Sequence, residues 1–190
     1  MRKSRYHRDM WKNTPDAYGL IAKSFHWVVA LLIIGLLCLG FYMEGLQGPD
    51  RGQFYGIHKS FGLMVLMLIV CRFVWRQYTG VPRDNPAHPK WERTLADIVH
   101  YALYAAAFLM PLSGWGMSSA GGHPVMFFGL PVPPLVSPDK VLGAYFSAMH
   151  SVLAWTIITL VSLHVLGALK HHFIDRDDTL RRMLDKSGKA

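Results

Sequence analysis

Residues 149–180 read MHSVLAWTIITLVSLHVLGALKHHFIDRDDTL. From Val141 to Leu169 the chain carries no Asp, Glu, Lys or Arg over 29 residues. About 20 apolar residues in a helix suffice to cross the hydrocarbon core of a bilayer, so this run spans it with a turn or two in excess. His150 and His164 lie 14 residues apart on it, which in an α-helix is about 21 Å of rise and 1400° of rotation, about 40° short of four full turns. They therefore share one face at two depths. Histidine inside a span is costly and normally has a partner, so the rest of the sequence has to supply one for each.

Working outward, three further apolar runs appear. Ser24 to Met43 is uncharged, and residues 25–43 form one span. Residues 55–76 form a second, with Lys59 and Arg72 near its two ends, where long basic side chains snorkel. No charge occurs between Asp97 and Asp139; residues 98–117 make the third span. The following GGHPVMFFGLPVPPLVSP holds too many Gly and Pro for a lipid-facing helix and reads as an ordered external loop. The fourth span covers about residues 145–169. The composition agrees: of 190 residues, 52% are hydrophobic and 17% charged, against about 25% charged in a soluble domain. The expected fold is all-α, an integral membrane four-helix bundle in one domain over residues 1–190, with the lipid bilayer as its surroundings. No internal repeat interrupts it. The first apolar run is too long for a cleavable signal and ends without a small-residue cleavage site.

The net charge of +8 raises nucleic-acid binding as a possibility, and the positions of the charges dismiss it. Of the 20 Lys and Arg, 17 cluster before the first span (including Arg2, Lys3, Arg5 and Arg8), around the second loop, and in the tail (including Lys186 and Lys189). Only Arg51, Lys59 and Lys140 fall on the other side. By the positive-inside rule both termini are cytoplasmic, in a bacterial inner membrane. Two cysteines, Cys38 and Cys71, lie at opposite depths, cannot pair with each other, and leave no CxxCH for covalent haem.

Ten histidines then need places. His26 lies at the cytoplasmic start of span one and His58 at the external start of span two, so depth pairs His26 with His164 and His58 with His150. Two such pairs about 20 Å apart are the plan of a di-haem b-type cytochrome, because a bis-imidazole haem takes one neutral imidazole on each face of its iron. His100, at nearly the depth of His26, is either an alternative ligand, a propionate contact or part of a quinone pocket; FHW sets His26 deeper. Arg72 lies at the cytoplasmic depth, as a propionate partner or as positive-inside anchoring. His171 returns to the face of His164 about 10 Å nearer the cytoplasm, where quinone reduction requires a titratable group, although an interfacial helix end would present the same residues. Gly62 and Gly167 fit either the approach of a flat macrocycle or close helix packing. His7, His88 and His123 read as solvent-exposed, and Asp175, Asp177 and Asp178 as a solvated helix cap among arginines rather than a metal site.

With these residues in view, the chain resembles the bacterial cytochrome b561 family. The resemblance is carried by NTPDAYGLIAKSFHW, IHKSFGLMVLMLIVCRFVWR, IVHYALY, PLSGWGMSSAGGHPVMFFG and MHSVLAWTIITLVSLHVLGALKHHFIDRDDTL, over nearly all of residues 13–183. It implies two non-covalent haems b on His26, His58, His150 and His164, a quinone contact around His171, and electron exchange with ubiquinone. Some members are similar to superoxide oxidases, so the expected activity is electron transfer from an external donor, superoxide among the candidates, to ubiquinone. Two alternatives are a cytochrome b subunit docking a hydrogenase or dehydrogenase, and a transition-metal transporter, which the lack of acidic, Cys or Met clusters beside the intramembrane histidines disfavours.

Overall fold

The structure, a computed structural model, describes residues 10–83 and 88–184. Arg2, Lys3, Arg5, His7, Arg8, Lys186 and Lys189 lie outside the described residues.

Four long helices carry the apolar runs: α1, Leu20–Glu44; α2, Arg51–Thr79; α3, Lys90–Ala120; and α4, Lys140–Lys170. All are long and apolar enough to cross a membrane, and the protein is an all-α membrane bundle. Each outruns the apolar segment that predicted it. Hydropathy marks where lipid begins, whereas hydrogen bonding carries the helix on through polar residues such as those from Lys90 to Asp97. Many large apolar side chains face outward: Leu31, Val152 and Trp155 are each more than 60% exposed. Such a surface would aggregate in water and is satisfied by lipid.

The chain packs as two compact units, each drawing on all four helices. The first comprises the described parts of Met1–Val28, Cys71–Tyr104 and Thr159–Ala190. Here the segment preceding α1 is tied to the end of α2. Asn13 Nδ2 donates to Thr79 Oγ1 (3.1 Å) and the Gly80 carbonyl (2.7 Å), while its Oδ1 accepts from the Gly19 amide at 2.9 Å. The end of α4 is unusual. It passes into a π-helical turn, His171–Asp175, closed by Arg176 in the left-handed region (φ 55°), and the Arg176 and Asp177 amides both donate to the His171 carbonyl. The π turn and left-handed residue reverse the chain sharply, which brings Asp177 back against His171. A short helix, α5 (Arg181–Leu184), follows; Trp27 Nε1 donates to the Met183 carbonyl at 3.1 Å.

The second unit comprises Val29–Val70 and Ala105–Ile158. Its buried layer is small and branched (Val29, Ala106, Ala107, Ser113, Ile157), as close packing of membrane helices requires. The loop between α3 and α4 contains a hairpin not expected from the sequence, β1 (Val125–Phe127) antiparallel to β2 (Leu130–Val132). Its two turn residues, Phe128 and Gly129, both have positive φ (48° and 90°), the requirement of a type I′ turn. Ser60 of α2 fastens it, donating to the Met126 carbonyl (3.0 Å) and accepting from the Phe128 amide (3.1 Å).

Candidate functional site

In the second unit, His58 of α2 and His150 of α4 face each other with ring centroids 6.3 Å apart. Ser113 of α3 fixes the His150 ring. Its hydroxyl donates to the Met110 carbonyl at 2.7 Å and so accepts from His150 Nδ1–H at 2.9 Å, with the same carbonyl 3.2 Å from Nδ1. The proton is thereby held on Nδ1 and Nε2 keeps its lone pair, which is how a partner behind the ring prepares an imidazole to ligate. His58 Nδ1 is buried and meets no hydrogen-bond partner among the described residues. A cavity of about 560 Å³ opens between the two rings and is lined by Gly40, Gly62, Gly114 and Trp115 among others. A Cβ on Gly114 would lie 3.1 Å from His150 Cε1 and one on Gly40 3.6 Å from His58 Cε1, while at Gly62 it would meet nothing within 4 Å. Of the two glycines singled out by sequence, Gly62 lines this space and Gly167 has open room around it. Gly40 and Gly114, the glycines packed on the histidines, were missed, because neither is within a turn of a histidine in sequence.

In the first unit, His26 of α1 and His164 of α4 have ring centroids 5.9 Å apart, and His100 of α3 lies 5.2 Å from His164. Arg72 of α2 donates from Nη2 to His26 Nδ1 at 3.0 Å and lies 5.2 Å from the Tyr104 ring centroid. Arginine cannot accept a hydrogen bond. In this arrangement the ring proton of His26 therefore sits on Nε2, and ligation through Nε2 would require Arg72 to move off.

These separations test the fit of an iron porphyrin. Two N–metal bonds of about 2.0 Å plus two ring radii of about 1.1 Å put the centroids of a bis-imidazole pair about 6.2 Å apart. His58–His150 at 6.3 Å and His26–His164 at 5.9 Å match that span better than His100–His164 at 5.2 Å. With an orphaned imidazole nitrogen, a cavity and a glycine wall, the residues fit the group.

The π turn holds a third constellation. Asp177 Oδ2 accepts from His88 Nε2 at 2.7 Å and from His171 Nδ1 at 2.9 Å, and the two imidazoles stack with centroids 4.4 Å apart. Asp175 Oδ2 lies 2.9 Å from the same His171 nitrogen, and Lys170 bridges Asp175 and Glu92 at 2.8 Å each. Burial opposes ionisation of Asp177, but hydrogen bonds from Thr179 and His88 outweigh it and hold the carboxyl well below the usual aspartate range. His88 is thus half-buried and partnered, a correction to its reading as a solvated loop residue. Within the acidic cluster Asp178 pairs with Arg182 at 2.8 Å, and it is Asp177 Oδ1 that accepts a backbone amide, that of Thr179, at 2.8 Å. His123 is exposed, as expected, at the rim of the 560 Å³ cavity. Cys38 and Cys71 are both free.

Comparison with known proteins agrees with this geometry. The family model for prokaryotic cytochrome b561 matches residues 17–186. Cytochrome b561 homolog 2 of Escherichia coli K12 is 38% identical over 179 residues, covering 92% of this chain and 95% of the relative. Cytochrome b561 homolog 1 of the same strain is 30% identical over 165 residues, covering 85% and 93%. A Yersinia pestis protein described as a probable superoxide oxidase is 28% identical over 173 residues, covering 89% and 96%. Four membrane-crossing helices, histidines facing each other between them and a match over nearly the whole chain establish that the chain belongs to the prokaryotic cytochrome b561 family, multi-pass b-type haem proteins of the bacterial inner membrane that transfer electrons.

Proposed function

We propose that the protein holds two non-covalent haems b, one between His58 and His150 and one between His26 and His164, and transfers electrons between an external donor and ubiquinone, with both termini cytoplasmic. The observation that carries this reading is the pair of ring separations, 6.3 and 5.9 Å, each the span of two imidazoles sharing one iron. Haem iron, when bound, would supply one-electron redox chemistry, and its potential would be set by the histidines that hold it, their burial and the hydrogen bonds behind them. Ser113 orients His150 for ligation, and Gly114 leaves the ring room to be reached. Arg72, released from His26, would neutralise a propionate, while His100, 5.2 Å from His164, would line the same histidine cluster with His26 as the ligand. Near His171 a quinone would find the proton-exchanging group its reduction requires. Superoxide is the donor suggested by likeness to the Yersinia protein; Lys59, whose amine donates to the Pro124 carbonyl at 3.2 Å, and His123 are among the residues lining the cavity between His58 and His150.

Purified protein should give a reducible b-type spectrum and a pyridine-haemochrome signal of two haems per chain. Replacing His26 or His164 with Ala should remove one haem and spare the other, as should replacing His58 or His150. A single haem in the wild type, or loss of both in every variant, overturns the assignment. Reduction of ubiquinone-1 with and without superoxide identifies the donor.

A further inference from the structure

The His88–Asp177–His171 constellation lies outside the proposed haem ligands and joins two distant parts of the chain, the loop before α3 and the π turn after α4 with the residues just beyond it. Two chemistries fit two imidazoles and a carboxylate. Ligands of a tetrahedral ion with bonds of about 2.0 Å sit about 3.3 Å from one another. Here the two nitrogens are 2.7 and 2.9 Å from the same carboxylate oxygen, the length of charge-assisted hydrogen bonds. Each imidazole therefore has an N–H on the atom a metal would need bare.

Resting on the quinone reading above, we infer that Asp177 is a positioning residue for proton transfer at His171, holding Nδ1–H so that Nε2 exchanges the proton, with His88 as a second imidazole on the same carboxylate. The charged and titratable groups around His171 are Lys170, His172 and Asp175 on its own element, His88 and Glu92 from the start of α3 and the loop before it, and Asp177 beyond, with Arg176, Asp178 and Arg182 outside them. Lys170 offsets one of the two carboxylate charges of Glu92 and Asp175, while Asp177 is the carboxylate that accepts the hydrogen bond from His171 Nδ1–H and carries no lysine or arginine partner of its own side chain among the described residues. Reduction of ubiquinone to ubiquinol takes two electrons, supplied by the protein's electron transfer, and two protons. In each protonation the His171 Nε2–H bond breaks and a quinone O–H forms. The imidazole becomes neutral, Asp177 remains a carboxylate, and the ring regains its proton from water.

The test uses the full-length, haem-loaded protein in liposomes with ubiquinone-1. Asp177→Asn should keep the haem spectrum and bind ubiquinone-1 within twofold of wild type by tryptophan quenching. Its kcat should fall about tenfold at pH 8 and less at pH 6, with the alkaline limb of the rate profile moved down by about one pH unit. Asp177→Glu should restore most of the rate, and His88→Gln should move the limb in the same direction by less. If Asp177→Asn loses haem, the Glu and His88 variants carry the same comparison. A limb that superimposes on wild type in all three variants overturns the inference while leaving the quinone reading intact. Failure of the wild type to reduce ubiquinone-1 at any pH overturns the quinone reading itself and the inference with it. Stoichiometric zinc in the purified protein, lost in Asp177→Asn, overturns the inference in favour of a metal site.

Discussion

At the scale of single residues, the histidine pairs depend on neighbours that hold them. Ser113→Ala removes the better acceptor for His150 Nδ1–H but leaves the Met110 carbonyl at 3.2 Å. The expected loss is therefore at the low end for an outer-shell partner, about tenfold in haem retention, read as haem transferred to apomyoglobin. Gly114→Ala should do more damage than Gly40→Ala. Its Cβ would crowd His150 at 3.1 Å, tighter than an ordinary contact, while the Gly40 Cβ meets His58 at 3.6 Å. The spectrum of the reduced protein checks the order, with Gly40→Ala near wild type and Gly114→Ala short of one haem. Gly62 tests the cavity itself: Gly62→Leu meets no protein atom near its Cβ and should fold, yet fill the space and exclude the macrocycle. These residues were only partly legible in sequence. A histidine's depth follows from its place along an apolar run, whereas the serine that bonds it is 37 positions away and no local pattern announces it.

At the scale of elements, the end of α4 and the hairpin between α3 and α4 are where the fold departs from regular helix. Asp177 fastens the turn after the π helix, and its carboxyl is depressed below the ordinary range. A depressed acid contributes stability above the unfolded-state value, near pH 4, that is lost as pH falls through the folded one. Amide hydrogen exchange in residues 171–183 should therefore lose protection as pH falls below about 4, and Asp177→Asn should show the weaker protection above that pH. The hairpin relies on Gly129 at φ 90°. Gly129→Ala should destabilise it by about 1 kcal/mol, seen as faster exchange in residues 125–132 with the helices unaffected. Sequence marked this loop as ordered from its Gly and Pro content but not as a hairpin, because its strands are three residues each and their anchor, Ser60, lies in another helix.

At the scale of the whole molecule, the charge distribution predicts topology: alkaline phosphatase fused after residue 184 should be inactive, and fused within the loop near residue 48 active. The sequence by itself determined the four spans, the family and the two histidine pairs, since lipid imposes length and apolarity on each span and the helical period sets which histidines share a face and a depth. Tertiary structure decided which of His26 and His100 sits at the better distance from His164, that Arg72 meets His26, that Ser113 and Gly114 support His150, and that His88, Asp177 and His171 form one hydrogen-bonded group. These are contacts between residues up to 138 positions apart. They depend on how side chains of different helices interlock, which periodicity and composition along one chain do not encode.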